Sequence, residues 1–112
     1  MNVKIAETAV TFKISEEELN VLLGGQILEK IVPIAANDFA MVIDPAGKND
    51  DIPLKLILDR DESCLMLCTS LKQIQKLATM GKSREGLSCH WNGIDIELQV
   101  DIRADSRPRK KA

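Results

Sequence analysis

The sequence predicts an α+β protein with a curved, largely antiparallel sheet of about seven to eight strands and two amphipathic helices. Apolar and polar residues alternate along most of the chain, which is typical of strands that bury one face. Two segments instead carry apolar residues at helical spacing, each between a serine and a glycine. Runs of strands with two separated helices are typical of the α+β class.

The first helix is predicted to begin after Ser15 and to end at Gly24-Gly25. Ser15-Glu16-Glu17-Glu18 is a capping box, in which the serine hydroxyl accepts the Glu18 amide and the glutamate carboxylate accepts the Ser15 amide. The second helix is predicted to begin after Ser70, where Ser70-Leu71-Lys72-Gln73 forms another capping box, and to stop at Gly81. Glycine ends helices because it adopts the left-handed conformation without a Cβ penalty.

The clearest predicted strand is the last one, in which residues 94–103 alternate without exception. Asn92-Gly93 joins it to a strand around Cys89, and that dipeptide is the strongest short hairpin signal. Residues 54–59 and 63–69 flank a polar turn and predict a second hairpin.

The remaining strands are less regular. A short strand is expected around Val3 to Ile5, and another over residues 10–14. Residues 26–34 are placed at a sheet edge because Pro33 has no N–H to donate. A strand through Phe39, Met41 and Ile43 is predicted to end at Asp44, where a loop begins that runs to Pro53.

The similarity of the two helical segments is one that an internal β-α-β-β duplication would produce. Ser15, Leu19, Leu22 and Gly25 match Ser70, Ile74, Leu77 and Gly81 with one residue slipped. The alternative is that all capped amphipathic helices look alike, and both interpretations stay open at this point.

A chain of 112 residues fits a single α+β domain, placed at 1–103, followed by a flexible basic tail over 104–112. The longest apolar runs are too short to span a bilayer, and the first residues lack the pattern of a signal peptide. An odd number of cysteines argues against a disulfide framework. We therefore expect a soluble, cytoplasmic protein.

The tail differs in charge from the body, because it carries Arg107, Arg109, Lys110 and Lys111 on a chain of net charge −2. Such a tail offers weak contact with nucleic acid. No aromatic residue lies among these charges to stack on bases. A solvated tail is the preferred interpretation.

Cys64, Cys68, Cys89 and His90 have the composition of a Cys₃His zinc site. If Cys64 and Cys68 lie on one strand, however, their Cα atoms are about 13 Å apart. Adjacent strand residues such as Cys89 and His90 point to opposite faces. We therefore expect no metal ion at the cysteines, which behave as small apolar residues.

Asp95, Glu97 and Asp101 line one face of the last strand and are weak candidates for a divalent cation. The alternative, which we prefer, is the solvated face of an antiparallel sheet, with basic residues across the strands.

The sequence carries no catalytic motif and implies no cofactor, so an enzyme is the third choice. The first is a non-enzymatic binding or interaction module, with a homodimer through an exposed strand edge as a further expectation. The second is a small-molecule or anion binder at the mouth of the sheet, with Lys13, Arg84 and His90 as candidate ligand-binding residues.

The chain resembles a small bacterial family of uncharacterised α+β proteins, a domain of unknown function. Near the start, the resemblance lies in residues 10–15, 18–19, 22, 25 and 28–29; near the end it lies in Glu85-Gly86-Leu87 and in Ile96, Leu98, Val100 and Asp101. Residues 44–53 have no place on the family pattern. The resemblance implies an α+β fold and transfers no catalytic or binding residue.

Overall fold

The computed structural model describes residues 1–34, 37–47, 52–80 and 86–101. This part of the chain forms eight strands and two helices, and neither helix is long and apolar enough to cross a membrane. The predicted tail and Arg84 lie outside the described residues. The elements are β1 (Asn2–Ile5), β2 (Ala9–Ile14), α1 (Glu16–Leu23), β3 (Leu28–Ile34), β4 (Asn37–Gly47), β5 (Lys55–Asp59), β6 (Cys64–Ser70), α2 (Leu71–Thr79), β7 (Leu87–Trp91) and β8 (Ile94–Val100).

The strands form two four-stranded sheets rather than the single curved sheet predicted from the sequence. The terminal sheet has the order β1-β2-β8-β7 and combines strands from both ends of the described chain. The central sheet has the order β3-β4-β6-β5. In each sheet the middle pair is parallel, β2 with β8 and β4 with β6, and the outer pairs are antiparallel. The α+β class is confirmed, and the single sheet is wrong.

The prediction of a single sheet is wrong for a physical reason. Turn signals report only on strands joined by a short turn, and the four pairs joined in this way are all antiparallel, as a short connection requires. The parallel pairs join strands that are distant in sequence, and no local pattern encodes their partners. Each helix carries the chain from one sheet to the other, since α1 leads from β2 to β3 and α2 leads from β6 to β7.

The two halves of the chain repeat one order of elements, β-β-α-β-β, which is one strand longer than the repeat considered above. The strands β1, β2, β3 and β4 of the first half correspond in this order to β5, β6, β7 and β8 of the second half. If each strand is replaced by its counterpart, the terminal sheet becomes the central sheet and the central sheet becomes the terminal one. The parallel ladders obey the same exchange in detail. Ala9 pairs with Asp95, and Cys64 pairs with Ala40; position 64 lies 55 after 9, and position 95 lies 55 after 40.

The inner faces of both sheets and the apolar faces of both helices share one core. Because side chains alternate along a strand, every second residue of β2, β6 and β8 points into this core. Its fully buried side chains are Phe12, Ile14, Leu22, Ile43, Leu54, Leu67, Ile74, Ile96 and Leu98.

Strand β4 continues to Gly47, beyond the predicted end at Asp44. Its neighbour β3 stops pairing at Leu28, which lies opposite Ile43. From Asp44 onwards β4 has no β3 partner on that side, so Pro45 interrupts no β3 ladder there. On the other side the register with β6 shifts between Ala46 and Gly47.

Helix α1 begins with the predicted capping box. The Glu18 amide donates to Ser15 Oγ at 3.1 Å, and the Ser15 amide donates to Glu18 Oε1 at 2.9 Å. The N-terminal ammonium of Met1 donates to Glu18 Oε2 at 2.6 Å. Burial alone would raise the pKa of the Glu18 carboxyl. The hydrogen bonds from the Met1 ammonium and the Ser15 amide, together with the charge of the ammonium, lower the pKa by more than burial raises it. The net pKa is therefore below the ordinary value.

Replacing Glu18 by Gln should keep the capping hydrogen bonds, which glutamine also makes, and remove the ion pair. We expect a loss of about 0.5–1 kcal/mol in the free energy of unfolding at pH 7, measured by urea denaturation. Because the pKa is lowered by folding, this contribution is present above the ordinary glutamate pKa and disappears as pH falls through the folded value. Glu16→Gln, an exposed change in the same helical turn, should cost less. An equal loss in both variants, or a difference that grows in acid, would contradict this explanation.

Candidate functional site

The two sheets have matching positions on their outer faces but very different chemistry. The outer face of a sheet is the side away from the shared core. In the terminal sheet it is polar, and we call it the polar face: Asn2, Lys4, Thr11, Lys13, Ser88, His90, Asp95, Glu97 and Gln99. In the central sheet it is largely apolar, and we call it the apolar face: Ile31, Ala40, Val42, Ile57, Cys64, Met66 and Cys68.

The polar face contains two shallow hollows. The first, of about 270 Å³, is lined by Asn2, Lys4, Thr11, Lys13, Glu97 and Gln99. The structure therefore places the predicted ligand-binding residue Lys13 in a hollow that Lys4 and Glu97 also line. Gln99 Nε2 donates to Glu97 Oε1 at 3.0 Å, which ties that carboxylate to its neighbour on the same strand.

The second hollow, of about 300 Å³, contains the only histidine of the chain. His90 Nδ1 and Asp95 Oδ1 lie 2.7 Å apart, directly across the β7–β8 ladder. Both side chains are open to solvent, with 69% and 64% of their surface exposed, so water screens their attraction. Glu97 lines both hollows, but Lys13 and His90 do not share one.

A serine also lies on this face, two positions before His90. The Cα atoms of Ser88 and His90 are about 6.6 Å apart along the strand. Among the described residues the His90 ring contacts Asp95, and no hydrogen bond joins Ser88 to His90, so the three have the composition of a catalytic triad without its chain of hydrogen bonds.

The acidic cation candidates are spread along the strand rather than gathered. Asp95 lies beside His90, Glu97 beside Gln99, and the Asp101 amide donates to the Ile14 carbonyl at 2.7 Å. Within the four described segments, no group of three or more His, Cys, Asp or Glu side chains is close enough to hold a metal ion.

The cysteines lie where an extended β6 places them. Residues 64–70 form one strand, as predicted, so Cys64 and Cys68 are about 13 Å apart on the central sheet. Cys89 lies on β7 of the terminal sheet, and all three thiols are free.

The middle of the apolar face is a cross-strand row formed by Val42, Met66 and Ile57. Val42 is only 6% exposed, yet it is not part of the core cluster. Ile57, on the edge strand β5, is 48% exposed. On one side of this row lie Ala40 and Cys64, again directly opposite each other.

Carboxylates border the apolar face. Glu29 lies across from Val42, Asp44 across from Cys68, and Asp59 across from Cys64. The one cation in these rows is Lys55, which pairs with Cys68 from the other side. Three acidic residues and one basic residue give this border a net negative charge.

The border changes the acidity of the thiols. Burial raises the pKa of the Cys64 thiol, and the charges of Asp59, Glu29 and Glu62 raise it further. Burial also raises the pKa of Cys68, as does Asp44, while Lys55 opposes the change. Both thiols are therefore weaker nucleophiles at neutral pH than an ordinary cysteine.

Sequence reasoning missed the apolar face, although a signal for it is present. Strands with one wet face alternate, as β8 does, whereas strands covered on both faces form continuous apolar runs. Such runs occur at Ala40-Met41-Val42-Ile43, Leu56-Ile57-Leu58 and Leu65-Met66-Leu67-Cys68. All three lie in the central sheet.

Comparisons with protein-family models, curated proteins and solved structures find no match to this chain. The resemblance to a bacterial family therefore stays a prediction.

Removing the charge of Glu29 should make Cys64 more reactive. In Glu29→Gln one of the carboxylates that disfavour the thiolate is gone, so more thiolate is present at a given pH and alkylation by iodoacetamide is faster. Peptide mass spectrometry measures each cysteine separately. Cys68 is the internal control, because Glu29 is not among the charges that shift its pKa. Equal acceleration at both cysteines, or none at Cys64, would show that Glu29 does not border this face as described.

Proposed function

We propose that this protein is a non-enzymatic interaction module, in which two copies of one β-β-α-β-β unit have diverged and one sheet has acquired a surface for binding another protein. The observation that supports this most is the difference between the outer faces. Met66 and Val42 occupy the places in the central sheet that Thr11 and Glu97 occupy in the terminal sheet. Matching scaffold positions thus carry apolar residues in one sheet and polar residues in the other.

The polar face is what a sheet needs when one side meets water. The apolar face has no such explanation within the described chain, because the core lies on the other side of the sheet. Its two isoleucines, Ile31 and Ile57, are about half exposed, and exposed apolar surface bordered by polar residues is typical of protein interaction sites. The face is half-covered rather than deeply pocketed, which suits a flat protein surface better than a small molecule.

The charges of the border indicate the chemistry of the partner. Glu29, Asp44 and Asp59 outnumber Lys55, so the best fit is an apolar segment flanked by basic residues. Opposite potentials raise the association rate and disfavour acidic partners. We place the interaction in the cytoplasm, where the three free thiols would remain reduced.

A defined peptide tests the proposal directly. We expect a β-forming peptide of alternating valine and lysine to shift the amide NMR signals of β4, β5 and β6, and a valine–glutamate peptide to have no such effect. Met66→Glu should weaken binding at least about tenfold, because the valine side of the peptide would bury the new carboxylate while the lysines of an alternating strand point away from it.

Thr11→Glu is the matched control, since it makes the same charge change at the equivalent position of the terminal sheet. Circular dichroism and thermal unfolding confirm that each variant is folded. The proposal fails if the lysine peptide shifts mainly β2 and β8, or if folded Met66→Glu binds as well as Thr11→Glu.

A second candidate function is the binding of a small anion at the first hollow. Lys4 and Lys13 both line it, with the hydroxyl of Thr11 and the amide of Asn2 as further donors. Two ammonium groups and neutral donors around one concavity are the groups that an oxyanion uses. Glu97 opposes such a ligand, so this candidate ranks second.

Inorganic phosphate is the probe for this second candidate. We expect about 10 mM phosphate to raise the melting temperature by a few degrees over potassium chloride of equal ionic strength, and Lys13→Gln to remove the difference. Equal melting temperatures in the two salts would exclude an anion site at this hollow.

A further inference from the structure

We propose that a second copy of this chain adds to the open edge of β5, so that two central sheets join into one eight-stranded sheet. This dimer goes beyond the proposed partner binding and rests on separate observations. Among the residues that the structure describes, β5 (Lys55–Asp59) is an edge strand that pairs with β6 on one side only. An edge strand presents unpaired N–H and C=O groups that another strand can match.

The side chains of β5 leave its edge apolar on both sides of the sheet. Ile57, on the outer side, is 48% exposed, and Leu58, on the inner side, is 54% exposed. Natural edge strands are usually protected by an inward charge, a proline or a bulge. The five residues Lys-Leu-Ile-Leu-Asp carry charge only at their two ends.

Those two ends are complementary to each other. In an antiparallel pair of β5 strands related by a twofold axis at Ile57, Lys55 of each copy lies directly across from Asp59 of the other. Each Leu56 then lies across from a Leu58, and the two Ile57 side chains meet at the centre. Because all three odd positions point to the outer face, both ion pairs flank the isoleucine pair on the same side.

The same pattern disfavours the competing arrangement. A parallel, in-register pair would place Lys55 beside Lys55 and Asp59 beside Asp59, and like charges across a ladder are destabilising. An antiparallel twofold pair also uses up the edge on both copies, so the assembly closes at two.

The other three edge strands of the described sheets lack this property. Strand β3 contains Pro33, which has no N–H to donate. Strand β1 carries Lys4 without an acidic residue, and β7 carries His90 without one. Strand β3 also carries Glu29 and Lys30, but adjacent residues point to opposite faces of a strand, so a twofold antiparallel pair sets neither directly across from the other. Self-pairing of β1 or β7 brings no opposite charges together.

The dimer would also enlarge the apolar face. Ile57 lies at one end of the row through Met66 and Val42, so pairing at β5 makes the two rows continuous across the twofold axis. A pair of single edge strands buries little surface, which indicates a weak dimer with a dissociation constant of roughly micromolar or above.

A charge-exchange experiment tests this arrangement. Lys55→Asp makes both ends of β5 acidic, and Asp59→Lys makes both ends basic. Analytical ultracentrifugation over about 10–500 µM should show a monomer–dimer equilibrium for the original chain and monomers for each variant alone. An equimolar mixture of the two variants should dimerise again, because every cross-strand pair is then of opposite charge.

The controls separate this result from loss of folding. Lys4→Asp makes the same charge change on the edge strand β1 and should leave the dimer intact. Asp59 Oδ1 also accepts hydrogen bonds from the Asp61 and Glu62 amides, so Asp59→Lys alters a turn, and circular dichroism must show that it folds.

If Asp59→Lys does not fold, the double variant Lys55→Asp with Asp59→Asn replaces it. Asparagine keeps an acceptor for the turn and removes the repulsion created by Lys55→Asp, so dimerisation should partly return. A monomer at every concentration of the original chain overturns the proposal. So does a dimer that survives in folded Lys55→Asp, or a mixture that remains monomeric.

Discussion

The fold depends on two parallel ladders that join distant parts of the chain, β2 with β8 and β4 with β6. Every other strand pairing is a local hairpin. These ladders place the most deeply buried strands at the centre of each sheet, and the helices that cross between the sheets complete a shared core. Because side chains alternate strictly along a strand, the register of each ladder also fixes which residues remain on the outer faces.

This constraint separates the residues that the core requires to be apolar from those that it does not. The core dictates the inner residues of β2 and β6 alike, which are apolar in both strands at Val10 and Phe12 and at Leu65 and Leu67. Nothing in the core dictates the outer residues. They are polar in one sheet and apolar in the other, and the proposed interaction surface is our explanation of that difference.

The local parts of this structure could be predicted from the sequence. The α1 capping box, the Asn92-Gly93 hairpin and the extended conformation around Cys64 and Cys68 all follow from neighbouring residues, and the structure contains them. At the start of α2 only half of the predicted capping box is present: Ser70 Oγ accepts the Gln73 amide at 3.3 Å, without the reciprocal bond from the glutamine side chain. These features are decided within a few residues of each other.

The non-local parts could not be predicted. Alternation identifies a strand but not its partner, so the sequence predicts one sheet of about seven to eight strands where the structure has two sheets of four. The candidate site was affected in the same way. Lys13 and His90 were placed correctly on outward-facing positions, but only the pairing of strands shows that they line separate hollows. In the sequence, Met66 is one residue of the apolar run 65–68, and nothing in that run tells which of its side chains face the core.

The most direct test of the central claim is to find which side of the central sheet Val42 and Met66 occupy. Methyl NOE spectroscopy on protein labelled at valine, leucine, isoleucine and methionine methyls measures this. We predict strong contacts of the Val42 methyls with Met66, and none with the core residues Ile43 and Leu67. Contacts from Val42 to the core leucines would mean that the register is shifted by one residue, which would bury the apolar face and contradict the interaction surface.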